Sequence, residues 1–449
     1  MEWLGRASVT FTHPEDALEL PRKAAKPVSD SPDSSASTVS LAQLCRDSTP
    51  TCQLNPLLFN GHLQTMWTAV AKSAPAIHYR RHIFQSVHDT YEGTFAVDFV
   101  VPPYDETEHA DPVLPPRTAY FSDADFAELD KGSDDKRPML LVLHGLSGGS
   151  YEVYLRHCLE PLLKKAAEAE DADDESADWA IAVVNARGCA NSELTSGVLF
   201  NARATWDVRQ VAAWAKEKFP NRPLFGLGFS LGANIMTNYV GEEGAACPLS
   251  AAVVVGNPFD LQVSNKLLQS TIIGRNIYEV FMGSNVKKLA FKHREALEKY
   301  STLDFDRIGK VRYLYEFDRA VQCPTWGYPT EEAYYRDASS SDSVLAIRIP
   351  FLALQAKDDP IAVEAGIPYG EFALNPYTVL CVTSMGGHLS WFETGGGRWH
   401  AKPVSAFLHK LATEIDLKAV KRDQFDVNSN QRPGVGYQPM QRKMHIGKD

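Results

Sequence analysis

The chain has 449 residues, with 45 Lys+Arg against 56 Asp+Glu and a formal net charge of −11. Its hydrophobic content of 44% is enough for a sizeable core and excludes wholesale disorder. Because nucleic-acid binding requires a basic face, the negative charge argues against a nucleic-acid partner. No run of 18 apolar residues occurs, so no transmembrane helix is predicted. The seven cysteines form no C-x-x-C pair, which favours free thiols in a reducing, intracellular compartment.

Apolar runs alternating with helical patterns predict a doubly wound α/β fold with a mostly parallel sheet. A flexible arm is expected at 1–50, because its second half is rich in Ser, Pro and Asp. Buried strands are predicted at 94–101, 138–143, 179–184, 223–227, 250–255, 348–354 and 377–383. Helical patterns between and after them lie at 151–170, 202–218, 231–242 and 402–416.

One long interval and two acidic stretches interrupt this alternation. The interval from about 260 to 345 is too long for a plain crossover helix, which favours an inserted helical cap. The stretches 121–137 and 166–178 are acidic, and like-charged loops of this kind are usually solvated rather than metal-binding. We therefore expect a catalytic domain at 51–416 that includes the cap, followed by a tail at 417–449.

A G-x-S-x-G motif supplies the candidate nucleophile. The motif Gly228-Phe229-Ser230-Leu231-Gly232 follows an apolar run and opens a helical pattern. This order is typical of a nucleophile elbow, in which a strand, a tight turn and a helix present the Ser hydroxyl. We therefore predict Ser230 as the nucleophile, with an ordinary Gly-rich turn as the alternative interpretation.

A serine nucleophile needs a base and an orienting carboxylate. His388 lies after the last predicted strand and before the final helix, and two glycines precede it. We predict His388 as the base, with His62 as an outside alternative. Asp358 and Asp359 both follow the strand at 348–354, and we prefer Asp359 because it directly precedes Pro360, with Asp358 as the alternative.

Two backbone N–H groups are expected to stabilise a developing oxyanion. One is that of Leu231, the residue after the nucleophile. The other is assigned to Leu146, in the loop that follows the strand at 138–143. That glycine-containing loop lacks the spacing of a phosphate-binding loop, so no cofactor and no metal is predicted.

These residues, together with Asn60-Gly61-His62-Leu63-Gln64-Thr65-Met66-Trp67, resemble the AB-hydrolase-4 family of the α/β-hydrolase superfamily. That family includes bacterial YheT-like hydrolases and fungal medium-chain fatty-acid ethyl ester synthase/esterases. The resemblance runs from about Asn55 to Leu411. It implies a serine hydrolase or acyltransferase that acts on acyl esters, with triad positions matching Ser230, Asp359 and His388. The Asn60–Trp67 element is interpreted as structural, packing near the site.

The resulting hypothesis is a serine esterase or alcohol acyltransferase for short- to medium-chain acyl esters, with an acyl-enzyme on Ser230. Its partners are a small-molecule acyl ester, with acyl-CoA as one candidate, and water or an alcohol. Contact with a membrane or lipid droplet is a further expectation. Alternatives are a monoacylglycerol or phospholipid hydrolase, a thioesterase, and a catalytically silent interaction protein. Aromatic residues of the cap either line an acyl pocket or pack its core: Tyr313, Tyr315, Phe317, Trp326 and Tyr328.

Overall fold

Strands and helices alternate along most of the chain. The computed structural model describes residues 4–23, 37–88, 92–107, 111–168 and 175–426. Its strands are β1 (Arg6–Ala7), β2 (Val9–Thr12), β3 (Glu19–Pro21), β4 (Thr38–Ser40), β5 (Cys52–Gln53), β6 (His78–Gln85), β7 (Thr94–Val101), β8 (Thr118–Tyr120), β9 (Met139–Leu143), β10 (Ala180–Val184), β11 (Leu224–Phe229), β12 (Ala251–Val255), β13 (Phe351–Ala356) and β14 (Thr378–Thr383).

The α-helices lie between and after the strands along the chain, and seven of them, α7 to α13, occupy the interval between β12 and β13. They are α1 (Leu41–Asp47), α2 (Gly61–Trp67), α3 (Asp123–Asp130), α4 (Val153–Glu168), α5 (Trp206–Lys218), α6 (Leu231–Glu243), α7 (Leu261–Ser270), α8 (Glu279–Lys292), α9 (Arg294–Tyr300), α10 (Phe305–Lys310), α11 (Leu314–Phe317), α12 (Cys323–Trp326), α13 (Glu331–Ala338), α14 (Tyr369–Leu374) and α15 (Ala401–Glu414). No helix among the described residues is both long enough and apolar enough to cross a membrane.

Ten strands of the described chain form one sheet, in the order β2-β14-β13-β12-β11-β9-β10-β7-β6-β8. The pairs from β14 across to β10 are all parallel. β2 joins β14 antiparallel at one side, and β7 joins β10 antiparallel at the other. Because parallel strands end at the same edge of a sheet, the loops after β9, β11, β13 and β14 meet there. The loops after β9, β13 and β14 contain Leu146, Asp359 and His388, and the turn after β11 contains Ser230, which Leu231 follows at the start of α6.

The seven predicted strands and the four predicted helices are all present, with ends that shift by a few residues. Every residue of β9, β11, β12, β13 and β14 is buried, as their continuous apolar runs require. The predicted fold class, a mostly parallel doubly wound α/β sheet, is confirmed.

The described part of the predicted N-terminal arm is not loose, which corrects that expectation. β2 pairs with the edge strand β14, with Phe11 opposite Cys381. Leu18, Leu20 and the buried residues of α1 belong to the same hydrophobic core as the sheet. The composition of residues 1–50 does not reveal this packing, because a small number of widely spaced apolar residues is enough to cover the edge of a sheet. Residues 24–36, which include the first part of the Ser-rich segment, lie outside the described residues.

The interval predicted as a cap is helical, running from α7 to α13, and two π-helical turns interrupt it at Gly274–Tyr278 and Asp318–Gln322. These helices, 261–338, are called the cap below. Their buried side chains pack on the loop that follows β10, where Cys189, Leu194 and Leu199 meet Val286 and Phe317.

The remaining predicted segments are only partly described. Residues 169–174 of the second acidic stretch and 427–449 of the tail lie outside the described residues. The beginning of the tail packs on the core, because Arg422 donates to the main-chain oxygen atoms of Cys247 and Leu249. The division of the chain at residues 50 and 416 stays a prediction.

Candidate active site

Ser230 occupies a sharp turn between β11 and α6. Its backbone has φ 52° and ψ −117°, a conformation that non-glycine residues adopt only under constraint. The Ser230 N–H donates to the Val255 oxygen at 3.0 Å. A Cβ on Gly228 would lie 2.6 Å from the Gly232 oxygen, and one on Gly232 would lie 2.5 Å from the Leu143 oxygen. The two glycines of the motif are therefore required by close backbone approach, and the predicted elbow is present.

His388 contacts both other predicted triad residues. Its Nε2 lies 2.8 Å from Ser230 Oγ, and its Nδ1 lies 2.8 Å from Asp359 Oδ2. An ionised Asp359 accepts the Nδ1 hydrogen, which leaves Nε2 free to accept the Ser230 hydroxyl hydrogen. The loops after β11, β13 and β14 thus bring together residues that are 158 and 29 positions apart.

The two adjacent aspartates make different contacts. Besides His388, Asp359 accepts hydrogen bonds at Oδ1 from the N–H groups of Ile361 and Ala362, at 2.8 and 2.9 Å. Asp358 Oδ1 instead accepts from the N–H groups of Gly386 and Gly387, at 2.9 and 3.0 Å. Burial raises the pKa of Asp358 to about 6, and the negative charge of Asp359 contributes to this rise. Asp359 is the carboxylate that reaches the imidazole, whereas Asp358 holds the backbone of the loop in front of it.

Helix α2 holds the same loop from the other side. The His388 N–H donates to Thr65 Oγ1 at 2.9 Å, and the Phe392 N–H donates to Gln64 Oε1 at 2.8 Å. A Cβ on Gly61 would lie only 1.8 Å from the Asp358 oxygen, so only glycine lets α2 approach this closely. The sequence predicts this element to be structural and to pack near the site, but nothing in the motif shows which distant loop it contacts.

His62 does not contact the candidate nucleophile. Its Nδ1 lies 2.9 Å from the hydroxyl oxygen of Tyr278 in the cap, and the two rings are stacked with centroids 5.7 Å apart. The outside alternative of His62 as the base therefore has no support from the geometry. His62 connects α2 to the cap instead.

Replacing Thr65 by Val is expected to lower kcat for ester turnover about tenfold, because the His388 N–H loses its acceptor and the imidazole shifts. Thr65→Ser keeps the oxygen and is the matched control, expected to stay within about twofold of the parent. Steady-state kinetics with p-nitrophenyl octanoate checks both. Equal losses in the two variants would show that the methyl group, and not the hydrogen bond, is what matters.

The predicted oxyanion donors belong to two backbone segments that adjoin Ser230. Leu231 begins α6, and in the described residues neither its N–H nor that of Leu146 reaches an acceptor. A Cβ on Gly145 would lie 3.3 Å from the Cβ of Ser230, so the loop after β9 runs alongside the elbow. Two N–H groups in backbone segments that adjoin Ser230, both without an acceptor, suit the role of oxyanion donors. That assignment of Leu146 and Leu231 remains a prediction.

His144 fixes the start of this loop. It is 4% exposed, its Nδ1 lies 2.7 Å from the Gly145 oxygen, and its Nε2 accepts the Ala186 N–H at 3.0 Å. The imidazole is therefore neutral, with its hydrogen on Nδ1. Burial lowers the pKa of His144 to about 4. A buried neutral histidine is a structural element that acid will disrupt.

We expect the free energy of unfolding to fall as the pH drops from 6.5 towards 4. The pKa of His144 is lower in the folded chain than the value near 6.5 of an unfolded chain, so its contribution is present above pH 6.5 and is lost below it. The loss is on the order of 3 kcal/mol. Urea unfolding at a series of pH values, with His144→Asn as the comparison, measures it. Parallel curves for the two proteins would contradict the assignment.

Apolar side chains surround the elbow. A cavity of about 50 Å³ lies behind Leu231, and Leu199, Phe200, Ile235 and the cap residue Trp326 line it. On the other side, Leu146 and Ile361 pack against a cap cluster formed by Leu268, Tyr278 and Met282. Of the cap aromatics, Phe317 is packed in the core of the cap, Tyr328 donates to Asp337, and Trp326 borders the cavity.

Comparison with known proteins identifies the class. A family model described as the alpha/beta hydrolase fold matches residues 138–394, more than half of the chain. The chain belongs to the α/β hydrolase fold family, and it is an enzyme, a serine hydrolase. The alternative of a catalytically silent interaction protein is therefore set aside.

Three of the proteins that the chain is similar to have names that describe an enzyme of lipid or ester chemistry. The chain is 38% identical over 386 residues to a Saccharomyces cerevisiae protein named monoacylglycerol lipase, covering 82% of each chain. It is 30% identical over 400 residues to medium-chain fatty acid ethyl ester synthase/esterase 2 of the same yeast, covering 80% of this chain and 85% of the relative. It is 28% identical over 257 residues to human phospholipase ABHD3, covering 57% of this chain and 59% of the relative.

Proposed function

We propose that this chain is a carboxylic-ester hydrolase and alcohol acyltransferase for short- to medium-chain acyl esters, working through an acyl-enzyme on Ser230. The observation that carries the proposal is the pair of 2.8 Å contacts that link Ser230 to His388 and His388 to Asp359. The names of the two yeast relatives support it, because both describe the chemistry of fatty-acid esters.

In the first half of the reaction, Ser230 Oγ attacks the ester carbonyl carbon while His388 Nε2 accepts the hydroxyl hydrogen. The carbonyl electron pair moves onto oxygen, where the N–H groups of Leu146 and Leu231 donate to it. Asp359 stabilises the resulting imidazolium through Nδ1. The tetrahedral intermediate then expels the alcohol, which leaves with the proton from His388, and the acyl group remains on Ser230.

In the second half, water or an alcohol takes the place of the departed alcohol. His388 removes its proton as it attacks the acyl-enzyme carbonyl, and Ser230 leaves with the proton that His388 returns. With water the products are a fatty acid and the free enzyme, whereas with an alcohol the product is a new ester. The apolar lining beside Leu146 and Leu231 suits an acyl chain in either case.

A second candidate substrate class is monoacylglycerol. The observation that favours it is the higher identity, 38% over 82% of the chain, to the relative named monoacylglycerol lipase. Because glycerol is also an alcohol, the two candidate substrates react by the same chemical steps and differ only in the alcohol that leaves. The same three triad residues would also serve for a phospholipid or for a thioester such as acyl-CoA.

Parallel assays on the purified chain test the proposal. Release of fatty acid from monooctanoylglycerol, ethyl octanoate, octanoyl-CoA and a phosphatidylcholine is compared, and ethanol is added to measure ester synthesis. We expect turnover of the first two, with acyl transfer to ethanol in competition with hydrolysis. Turnover restricted to the thioester or the phospholipid would replace the proposed substrate class, and no turnover of any ester would refute the proposal.

A further inference from the structure

Exposed apolar side chains concentrate on two segments of the described chain. The seventeen large hydrophobic residues that are exposed in the described residues include five in 57–70 and six in 267–291. The first group is Leu57, Phe59, Met66, Trp67 and Val70, and the second is Leu267, Ile272, Ile273, Ile277, Phe281 and Phe291. Ile272 is 83% exposed and Leu57 is 79% exposed, so these are not the margins of buried residues. Such clustering marks an interaction surface.

The two segments adjoin each other. His62 of α2 contacts Tyr278, which lies in the π-helical turn directly before α8. Met66 lies one helical turn after His62, and Ile277 and Phe281 flank Tyr278 along its helix. The contact between His62 and Tyr278 therefore brings the two segments together, and we call their exposed apolar residues the docking face.

The docking face lies beside the candidate active site. Thr65 of α2 accepts the His388 N–H, and Gly61 packs against Asp358. Tyr278 packs with Ile361 and Leu146. Burial raises the pKa of Tyr278 to about 12, and the nearby charge of Asp359 contributes to this rise. A substrate that leaves a surface in contact with this face has a short path to Ser230.

The charge of the docking face is opposite to that of the whole chain. Residues 261–294 contain six Lys and Arg and a single acid, Glu279, which is 1% exposed. Residues 48–88, which include α2, contain no acid at all, although the chain carries a net charge of −11. Lys266, Arg275, Lys288 and Lys292 are exposed among the apolar side chains of the cap.

We propose that the docking face binds an anionic phospholipid surface and presents Ser230 to acyl esters dissolved in that surface. Apolar side chains interspersed with Lys and Arg are typical of helices that lie in a membrane interface, and anionic lipids attract such basic residues. Protein interfaces, in contrast, are depleted in Lys. The proposal rests on the proposed function, because it assigns to the same site a substrate that is held in a lipid surface.

Vesicle flotation with full-length Ser230→Ala protein tests the proposal without any turnover of lipid. The probes are vesicles of pure phosphatidylcholine and vesicles with about 30% phosphatidylserine. We expect binding to the anionic vesicles to be at least about tenfold tighter and to weaken as salt is added. Addition of Ile272→Glu and Phe281→Glu should weaken that binding by about tenfold or more. Because binding alone is measured, the result does not depend on whether the esterase proposal holds.

Matched variants separate the face from a general effect of charge or misfolding. Val113→Glu introduces one acid at a residue that is 63% exposed outside both segments, and it should bind vesicles like the parent. The double variant Lys266→Gln, Lys288→Gln removes only positive charge, so it should weaken binding to the anionic vesicles and leave binding to pure phosphatidylcholine unchanged. The thermal unfolding midpoint of each variant is measured to exclude misfolding. Absence of vesicle binding by the parent, or equal binding by the Ile272→Glu, Phe281→Glu protein, would overturn the proposal. The proposal would also be overturned if the chain did not bind vesicles but formed a dimer that the Ile272→Glu and Phe281→Glu substitutions dissociate.

Discussion

Replacing Ser230 by Ala is expected to lower kcat for p-nitrophenyl octanoate by about three to six orders of magnitude. The hydroxyl is the atom that lies 2.8 Å from His388 Nε2, and no acyl-enzyme can form without it. The same variant should lose labelling by a fluorophosphonate probe. Its circular dichroism should match that of the parent, because the substitution removes one oxygen atom and leaves the elbow in place.

A control serine distinguishes the nucleophile from other hydroxyl groups. Ser270 is exposed at the end of α7 and donates only to the Leu267 oxygen, so Ser270→Ala should keep its activity and its labelling. Persistence of the fluorophosphonate adduct in Ser230→Ala would place the nucleophile elsewhere and would contradict the proposed mechanism.

The two adjacent aspartates should respond very differently to substitution by Asn. At Asp359 an amide N–H would face His388 Nδ1 and favour the tautomer with its hydrogen on Nε2, which cannot accept the Ser230 proton. We expect kcat to fall by about 10³–10⁴-fold. At Asp358 the amide oxygen can still accept from Gly386 and Gly387, so the loss should stay within about tenfold.

The kinetic comparison of Asp359→Asn and Asp358→Asn therefore assigns the triad carboxylate. Each variant serves as the control of the other, because the residues are adjacent and the chemical change is identical. A larger loss in Asp358→Asn would make Asp358 the catalytic carboxylate. Fluorophosphonate labelling should be slowed in Asp359→Asn and nearly normal in Asp358→Asn.

The residues that local patterns determine were predictable, and those that long-range packing determines were not. The apolar runs of β9 to β14 and the turn around Ser230 indicate the sheet and the elbow, and the chain order of Ser230, Asp359 and His388 then follows the known arrangement of the fold. In the sequence, only the neighbouring Pro360 favours Asp359 over Asp358, because both aspartates follow the same strand. Only the opposite directions of their side chains separate them in the structure.

The contacts of α2 illustrate the limit most clearly. Thr65 bonds a residue 323 positions further along the chain, and no periodicity or composition records such a pairing. The same holds for β2: its four residues lie in the segment predicted as an arm, and the sequence does not show that they pair with β14. Sequence patterns report which face of an element is apolar, but not which distant element covers it.

The pairing of β2 with β14 has a consequence for biosynthesis. Residues 9–12 are synthesised before every strand of the parallel sheet, whereas their partner strand, residues 380–383, is the last strand of that sheet to be made. Until then the amino-terminal strand has no partner, and α2 has no His388 loop to hold. A nascent chain therefore contains Ser230 long before His388 is made, and hydrolytic activity is expected to begin only after β14 and the His388 loop have been synthesised and have folded.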